Sequence, residues 1–274
     1  MPIALVFELW PERDALLPPF LGRATHALLL RRIGAVDPEL ATRLHEPNET
    51  RPFTVSVLEE GIRLGRRETR VLVGTPLHVR LTVLEDELEP TFRRAFAPGS
   101  KVEIESLALR VGTAREDARA DGVLQRISYA QLIEDFLYAG RDLPHRLTLR
   151  FVSPTTFHQR DRHLPLPLPQ LVFGGAAERW NAYAPVYIAP EIVRGFERIR
   201  IGAYALRTRL VETGQGKVIG FLGWCDFRLE AVDRPVSAAA WMLATFANYS
   251  GIGQKTAMGL GHVVLRQPLL GRPG

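Results

Sequence analysis

Apolar residues follow a strand period and a helix period in turn along the first half of the chain. The short apolar run at residues 3 to 10 predicts a buried strand. Apolar residues at helical spacing from about Phe20 predict a helix that ends at Gly34. Later stretches predict three strands, a helix and a strand, at residues 53 to 58, 70 to 74, 77 to 84, 86 to 96 and 102 to 111. This is the β-α-β-β-α-β order of a ferredoxin-like domain.

A second, short helix is predicted between the first helix and the next strand. Asp37 followed by Pro38 is typical of a helix start, with Asp37 as the cap and Pro38 in the first turn. We expect this helix to close near His45, before a polar loop.

The second half of the chain repeats the same order of elements. It predicts a strand, a helix, a long strand pair, a helix and a closing strand, at residues 148 to 151, 171 to 183, 199 to 211, 218 to 229, 238 to 249 and 263 to 265. We therefore predict an α+β protein of two tandem ferredoxin-like (RRM-like) βαββαβ domains, residues 1–143 and 144–274. No repeat is visible in the sequence itself, so the duplication rests on the order of elements.

Composition adds a bias toward an anionic partner. The 274 residues contain 46% hydrophobic and 24% charged residues, which are ordinary globular values. The net charge is +5, which favours a polyanion without identifying one. Arginine supplies nearly all of the positive charge and suits phosphate contacts, although a GC-rich genome or a thermophilic host produces the same bias.

The single cysteine, Cys225, excludes intramolecular disulfides and cysteine-based zinc sites and fits a reducing cytoplasm. The N-terminus has no basic leader, and its apolar run is too short to span a membrane. We expect a soluble, cytoplasmic protein with no membrane partner.

Several reaction classes lack their motifs. The sequence has no HExxH, no G-x-S-x-G and no paired carboxylates of a hydrolase, so we expect neither a metal nor a cofactor. His158 and His163 flank Arg160 and Arg162 and could bind a metal, but a solvated basic loop is the favoured interpretation.

Histidine and arginine are the remaining candidates, and they suffice for cutting RNA with its own 2′-hydroxyl. That reaction needs a base, an acid and cations on the phosphorane. His45 stands at a helix end, its ordinary pKa of about 6.5 suits proton transfer, and Arg51 follows six residues later. Without other evidence, a lone loop histidine is more often a surface residue.

Four glycines lie within eleven positions near the end of the chain: Gly251, Gly253, Gly259 and Gly261. A nucleotide P-loop is excluded because Gln254 precedes Lys255 and a helix precedes the loop. A dinucleotide fingerprint lacks its third glycine. The alternatives left open are a loop that offers N–H groups to phosphate and a glycine-rich turn that serves packing.

The stretch from Tyr249 to Val263 resembles the C-terminal glycine-rich signature of the CRISPR-associated endoribonucleases that cut precursor repeat RNA. These enzymes belong to the repeat-associated mysterious protein (RAMP) superfamily. Three further segments resemble family landmarks in the same order: residues 38 to 46 with 51 to 56, residues 149 to 157, and residues 220 to 224.

The resemblance implies roles for the candidate residues. It implies catalysis by His45 and Arg51. Some family members carry a catalytic tyrosine in the preceding helix, which this chain lacks, so His26 is a further catalytic candidate and equally a packed core histidine. RNA contacts are expected from the glycine-rich loop and three arginines: Gly251, Gly253, Lys255, Thr256, Gly259, Gly261, Arg160, Arg162 and Arg179.

The resulting functional prediction is a metal-independent endoribonuclease for CRISPR repeat RNA. It would leave a 2′,3′-cyclic phosphate and a 5′-hydroxyl. A CRISPR effector complex and a homodimer are further partners that the resemblance admits. Two alternatives stay open: a RAMP subunit that binds guide RNA and cuts nothing, and a ferredoxin-like enzyme for a small phosphorylated substrate, which needs a deep closed pocket.

Overall fold

The structure is a computed structural model of the 274-residue chain. It describes residues 1–46, 50–60, 62, 64–65, 67–115, 119–120, 123–124, 126–138, 140, 142–159, 162–214 and 216–266. No helix of this described part combines the length and apolarity that crossing a bilayer requires.

The elements alternate between strands and helices, as the sequence pattern predicts. The strands are β1 (Ile3–Pro11), β2 (Ala15–Leu17), β3 (Phe53–Leu58), β4 (Thr69–Val71), β5 (Leu77–Val83), β6 (Lys101–Ile104), β7 (Leu107–Arg115), β8 (Arg119–Ala120), β9 (Val123–Leu124), β10 (Arg146–Thr155), β11 (Phe157–Gln159), β12 (Arg162–Leu164), β13 (Arg200–Glu212), β14 (Lys217–Arg228) and β15 (Val263–Leu265). The α-helices are α1 (Gly22–Val36), α2 (Pro38–His45), α3 (Glu89–Ala95), α4 (Tyr129–Ile133), α5 (Pro169–Tyr183), α6 (Pro190–Gly195) and α7 (Arg234–Ser250). Short 3₁₀ turns occupy Asp86–Leu88, Phe196–Arg198 and Thr256–Met258, and a π-helical turn occupies Glu134–Tyr138.

The chain divides into two compact units. The first comprises Met1–Arg126, Glu212–Gly216 and Ala257–Gly259, and the second comprises Ile127–Val211, Lys217–Thr256 and Leu260–Gly274. Residues 127–143 thus group with the second unit, whereas the sequence assigned them to the first domain. The boundary between residues 143 and 144 stays a prediction for independently folding domains.

The first unit contains a five-stranded antiparallel sheet in the order β3-β5-β1-β7-β6. Leu5 on β1 lies opposite Leu81 on β5, which lies opposite Val55 on β3. These residues belong to one buried cluster with Leu29 of α1 and Phe92 of α3. The helices therefore pack on the face of the sheet that carries these apolar side chains.

The second unit has the equivalent four-stranded sheet, in the order β13-β14-β10-β15. Leu149 on the central strand β10 lies opposite Cys225 of β14 and Leu265 of β15. Helices α5 and α7 pack together through Trp180 and Phe246, whose ring centroids are 5.3 Å apart, edge to face. The α+β class with two tandem ferredoxin-like folds is confirmed.

Two of the differences from the predicted boundaries have a physical reason in the structure. The strand expected at residues 102 to 111 is two strands, because Glu105 and Ser106 adopt φ of +48° and +64° and turn β6 into β7. The sequence has no Asn-Gly at this point to indicate a hairpin.

Gly34 does not end α1, which continues to Val36. A Cβ added at Gly34 would lie 3.6 Å from the Cβ of Ala41 on α2. This is an ordinary contact distance, so the position does not require glycine, and Asp37 marks the break between the helices.

Candidate active site and glycine-rich loop

His26 projects from α1 of the first unit and is half-buried. Its Nδ1–H donates to the carbonyl oxygen of Ala257, 2.8 Å away and 231 positions along the chain. Its ring stacks on Phe53 of β3, with centroids 6.0 Å apart and planes 16° from parallel. The imidazole is therefore positioned by the carbonyl of Ala257 at its Nδ1 edge and by the ring of Phe53 on one face.

His45 is the last residue of α2, and its side chain is exposed. The helix begins as predicted: Pro38 occupies the first turn, and the carboxylate of Asp37 accepts from the N–H of Leu40 at 2.9 Å. Arg51 lies just before β3, and its Nη2 donates to the carbonyl oxygen of His45 at 3.2 Å. The guanidinium thus lies beside the helix end that carries His45.

The pKa of His26 depends on its burial and on its charged neighbours Arg51 and His45. Burial is the largest cause that lowers the pKa of His26 below its ordinary value. The hydrogen bond to Ala257 opposes this, and the positive charges of Arg51 and then His45 lower the pKa further. The contacts agree with this: the ring of His26 stacks on Phe53, two residues after Arg51, and Arg51 bonds to the carbonyl oxygen of His45. At neutral pH, His26 is therefore an uncharged imidazole that can accept a proton.

The glycines of the loop are required by close packing in the second unit. A Cβ added at Gly261, where φ is +71°, would lie 2.1 Å from the carbonyl oxygen of Ile252. The side-chain methyl of Thr256 lies 2.9 Å from an added Cβ at Gly251 and 2.8 Å from one at Gly261. Thr256 is buried, so its methyl fills the space that these glycines leave.

The other two loop glycines are equally constrained. An added Cβ at Gly253 would lie 2.4 Å from the carbonyl oxygen of Thr156, within the second unit. An added Cβ at Gly259 would lie 2.5 Å from the Cα of Gly22, within the first unit. The packing interpretation of the glycine pattern is therefore sterically justified at all four positions.

Much of the loop's hydrogen-bonding capacity is used inside the protein. Backbone N–H groups of the loop donate to backbone carbonyls in five cases: Gly251 to Ala247, Ile252 to Gly261, Gln254 to Thr156, Leu260 to Lys255 and Gly261 to Pro154. These amides cannot also donate to phosphate in this conformation. We expected the loop to cradle the RNA backbone through N–H groups and one ammonium. These amides already have partners within the protein, and RNA binding by the loop stays a prediction.

Arg179 makes hydrogen bonds within the protein, and its predicted contact with RNA stays a prediction. It lies on α5, and burial lowers its pKa to about 10, so it stays charged at neutral pH. Its guanidinium donates to the carbonyl oxygens of Ser250, Gly251 and Gly253 at 2.8, 3.0 and 2.6 Å. The half-buried guanidinium holds the loop in place through these three hydrogen bonds.

Three other side chains were predicted to contact RNA: Lys255, Arg162 and Arg160. Lys255 is half-buried and adopts a φ of +54°. Arg162 is exposed on β12. Arg160 lies outside the described residues. RNA contacts by these residues stay predictions.

Sequence reasoning missed two partners of His26, Ala257 and Phe53, and the close approach of residues 258 and 259 to Gly22. The contact with Ala257 spans most of the chain, and no local pattern could reveal it. Gly22 was a recognisable signal. Glycine destabilises a helix, so a glycine in the first turn of α1 indicates a place where another backbone approaches closely.

The described residues contain no group of three or more histidine, cysteine or carboxylate side chains that could hold a metal ion. His158 and His163 lie opposite each other on β11 and β12, with ring centroids 5.8 Å apart and planes 71° apart. They form a cross-strand pair at the surface of the second unit.

Two family models match the chain. The model of the CRISPR-associated endoribonuclease Cas6 matches residues 149–263, and the model of the CRISPR Cas6 N-terminal domain matches residues 1–94. The second model covers His26, His45 and Arg51, and the first ends just after the glycine-rich loop.

Individual proteins show the same similarity. A CRISPR-associated endoribonuclease Cas6 of Mycobacterium tuberculosis is 28% identical over 162 residues, which cover 56% of this chain and 51% of that protein. The chain thus matches about half the length of this curated relative. A solved Cas6 product complex superposes with a TM-score of 0.80 at 28% identity, covering 97% of this chain and 100% of that one. Thermus thermophilus Cas6 superposes with a TM-score of 0.74 at 29% identity, covering 97% and 98%.

Proposed function

The chain belongs to the Cas6 family of CRISPR-associated endoribonucleases, and from this membership we propose that it cuts CRISPR precursor RNA within its repeats. The observation that carries the proposal is the cluster of His26, His45 and Arg51. Its two imidazoles and one guanidinium supply a base, an acid and a cation for cleavage by the 2′-hydroxyl.

His26 is the general base in this proposal. Its lowered pKa keeps the imidazole neutral at the pH of the reaction, so it can take the proton of the 2′-hydroxyl. As O2′ bonds to phosphorus, negative charge grows on the phosphorane oxygens. The guanidinium of Arg51 lies close enough to affect the charge of His26 and stabilises that growing negative charge.

His45 is the general acid. The bond between phosphorus and O5′ breaks, and the imidazolium of His45 donates a proton to the leaving oxygen. One proton has then moved to His26 and one has left His45, and the products are a 2′,3′-cyclic phosphate and a 5′-hydroxyl. The exposed position of His45 at the end of α2 supports this assignment, because a leaving group can reach it from solvent.

RNA binding in this proposal depends on side chains more than on loop amides. Lys255 supplies a phosphate contact at the loop, and Arg162 supplies another on β12. Arg179 and the loop glycines support the loop's shape. The solved relative that was captured as a product complex supports the view that this fold retains reaction product.

A repeat RNA with a single 2′-deoxy substitution at the scissile nucleotide tests the proposal. The protein should cut the unmodified repeat in excess EDTA and should bind the deoxy substrate without cutting it, because the nucleophile is missing. Cleavage of the deoxy substrate, or loss of all activity in EDTA, would contradict this mechanism. Binding of both RNAs without any cleavage would indicate a non-catalytic RAMP subunit instead.

A further inference from the structure

We infer that the glycine-rich segment around Ala257 selects the tautomer in which His26 acts as a base. The inference rests on the proposed function for its catalytic meaning. Its structural content, one tautomer fixed by one backbone carbonyl, can be measured without RNA.

A carbonyl oxygen can only accept a hydrogen bond. The 2.8 Å contact between Nδ1 of His26 and the carbonyl oxygen of Ala257 therefore places the ring proton on Nδ1. In the neutral ring, this leaves the lone pair on Nε2. The nitrogen that must take the 2′-hydroxyl proton is then the one that the protein leaves unprotonated.

Close packing against α1 holds this carbonyl in position. Ala257 is buried and belongs to the same core cluster as Leu28 and Leu29 of α1. A Cβ added at Gly22 would lie 2.1 Å from the carbonyl oxygen of Met258 and 2.8 Å from the Cα of Gly259. The backbone of the segment thus lies directly on the backbone of the first helical turn.

Gly22 and His26 are four residues apart, so they share a face of α1. The segment that rests on Gly22 is therefore at the right height on the helix for Ala257 to reach the ring of His26. Gly259 adopts a φ of +89°, a conformation that glycine allows at little cost and that returns the chain after the contact. Because Gly22 and Gly259 have no side chains, the segment can approach α1 closely enough for the carbonyl of Ala257 to reach His26.

The contact also serves the protonated state. Once Nε2 has taken the proton, Nδ1–H still donates to the carbonyl oxygen, which favours the imidazolium and opposes the effect of burial on the pKa of His26. Ala257 is thus a positioning residue that acts through its backbone. Gly22 and Gly259 are positioning residues for it.

Nuclear magnetic resonance of ring-¹⁵N-labelled histidines in the RNA-free protein tests the inference. Long-range ¹H–¹⁵N spectra near pH 8, well above the usual histidine pKa of about 6.5, distinguish the protonated ring nitrogen from the bare one. The His26 signals are identified by their loss in His26→Gln. Wild type should show a proton on Nδ1.

Gly259→Ala and Gly22→Ala push the segment away from α1 and should shift His26 toward the Nε2–H tautomer. Gly34→Ala is the matched control, because it lies on the same helix and its added Cβ meets Ala41 at an ordinary 3.6 Å. It should leave the tautomer unchanged. Circular dichroism selects the variants that are folded.

An Nε2–H tautomer in the wild-type protein would overturn the inference, and this measurement does not depend on any variant folding. An unchanged Nδ1–H tautomer in folded Gly259→Ala would overturn the role of the loop. Absence of RNA cleavage with the predicted tautomer present would count against the proposed function alone. The two failures are therefore distinguishable.

Discussion

The guanidinium of Arg51 donates to the backbone carbonyl of His45 across 3.2 Å. Burial is the main cause that lowers the pKa of His26, and the positive charge of Arg51 lowers it further. Arg51→Ala should therefore raise the pKa of His26 toward its ordinary value. A titration of the His26 ring by nuclear magnetic resonance measures the change directly.

The exposed Arg70 on β4 offers a matched control, and Arg70→Ala should leave the titration of His26 unchanged. The lowered pKa of His26 also makes the free energy of unfolding depend on pH. Because the fold favours neutral His26, the contribution of this residue to the free energy of unfolding is complete above a pH of about 6.5. It is lost as the pH falls toward the lowered pKa. A His26 pKa that does not move in Arg51→Ala would contradict the proposed proximity of the two side chains.

Arg179 should matter for stability. Replacing it with methionine removes the donor from the carbonyls of Ser250 and Gly253 and one of two donors from that of Gly251, which should lower the free energy of unfolding by about 2 to 3 kcal/mol. Arg198→Met is the control, since Arg198 and Asp233 form an exposed pair at 2.7 Å and should contribute no more than about 1 kcal/mol. Urea unfolding of both variants makes the comparison. Equal midpoints would mean that the Arg179 contacts contribute nothing to the fold.

Lys255 should contribute a phosphate contact. Lys255→Ala should weaken RNA binding at low salt, and the slope of log affinity against log salt should become shallower by about 0.7 to 0.9, the release expected for one contact. Lys101→Ala, a change at an exposed residue of β6, is the control and should preserve the slope. An unchanged slope in Lys255→Ala would make the loop purely structural.

The order of elements was predictable because apolar residues recur at strand spacing in the strands and at helical spacing in the helices. The closing strand at residues 263 to 265 has the predicted bounds, and the cap formed by Asp37 follows from local chemistry. The hairpin at Glu105 and Ser106 was not predictable, because two residues with ordinary side chains adopt positive φ without a glycine signal.

In the candidate site, too, local sequence predicted some features, and others depend on how the chain folds. The resemblance pointed to His45 and Arg51 from their local sequence, and it left His26 between a catalytic and a packed role. The hydrogen bond of His26 to Ala257 depends on folding the segment around Ala257 onto α1 and could not be predicted from local sequence. The internal contacts of Arg179 were not predictable for a related reason, because sequence cannot show which carbonyls a guanidinium meets.

The most direct test of catalysis by the two histidines is single-turnover cleavage of the repeat RNA by wild type, His26→Ala and His45→Ala, with the exposed His145→Ala as control. Loss of a general base or acid should slow cleavage by about two to four orders of magnitude in each of the first two variants and leave RNA affinity nearly unchanged. His145→Ala should cut at the wild-type rate. If His26→Ala and His45→Ala both cut within about threefold of wild type, a barrier change of only about 0.65 kcal/mol, then neither histidine transfers a proton in the reaction and the account of the active site is wrong.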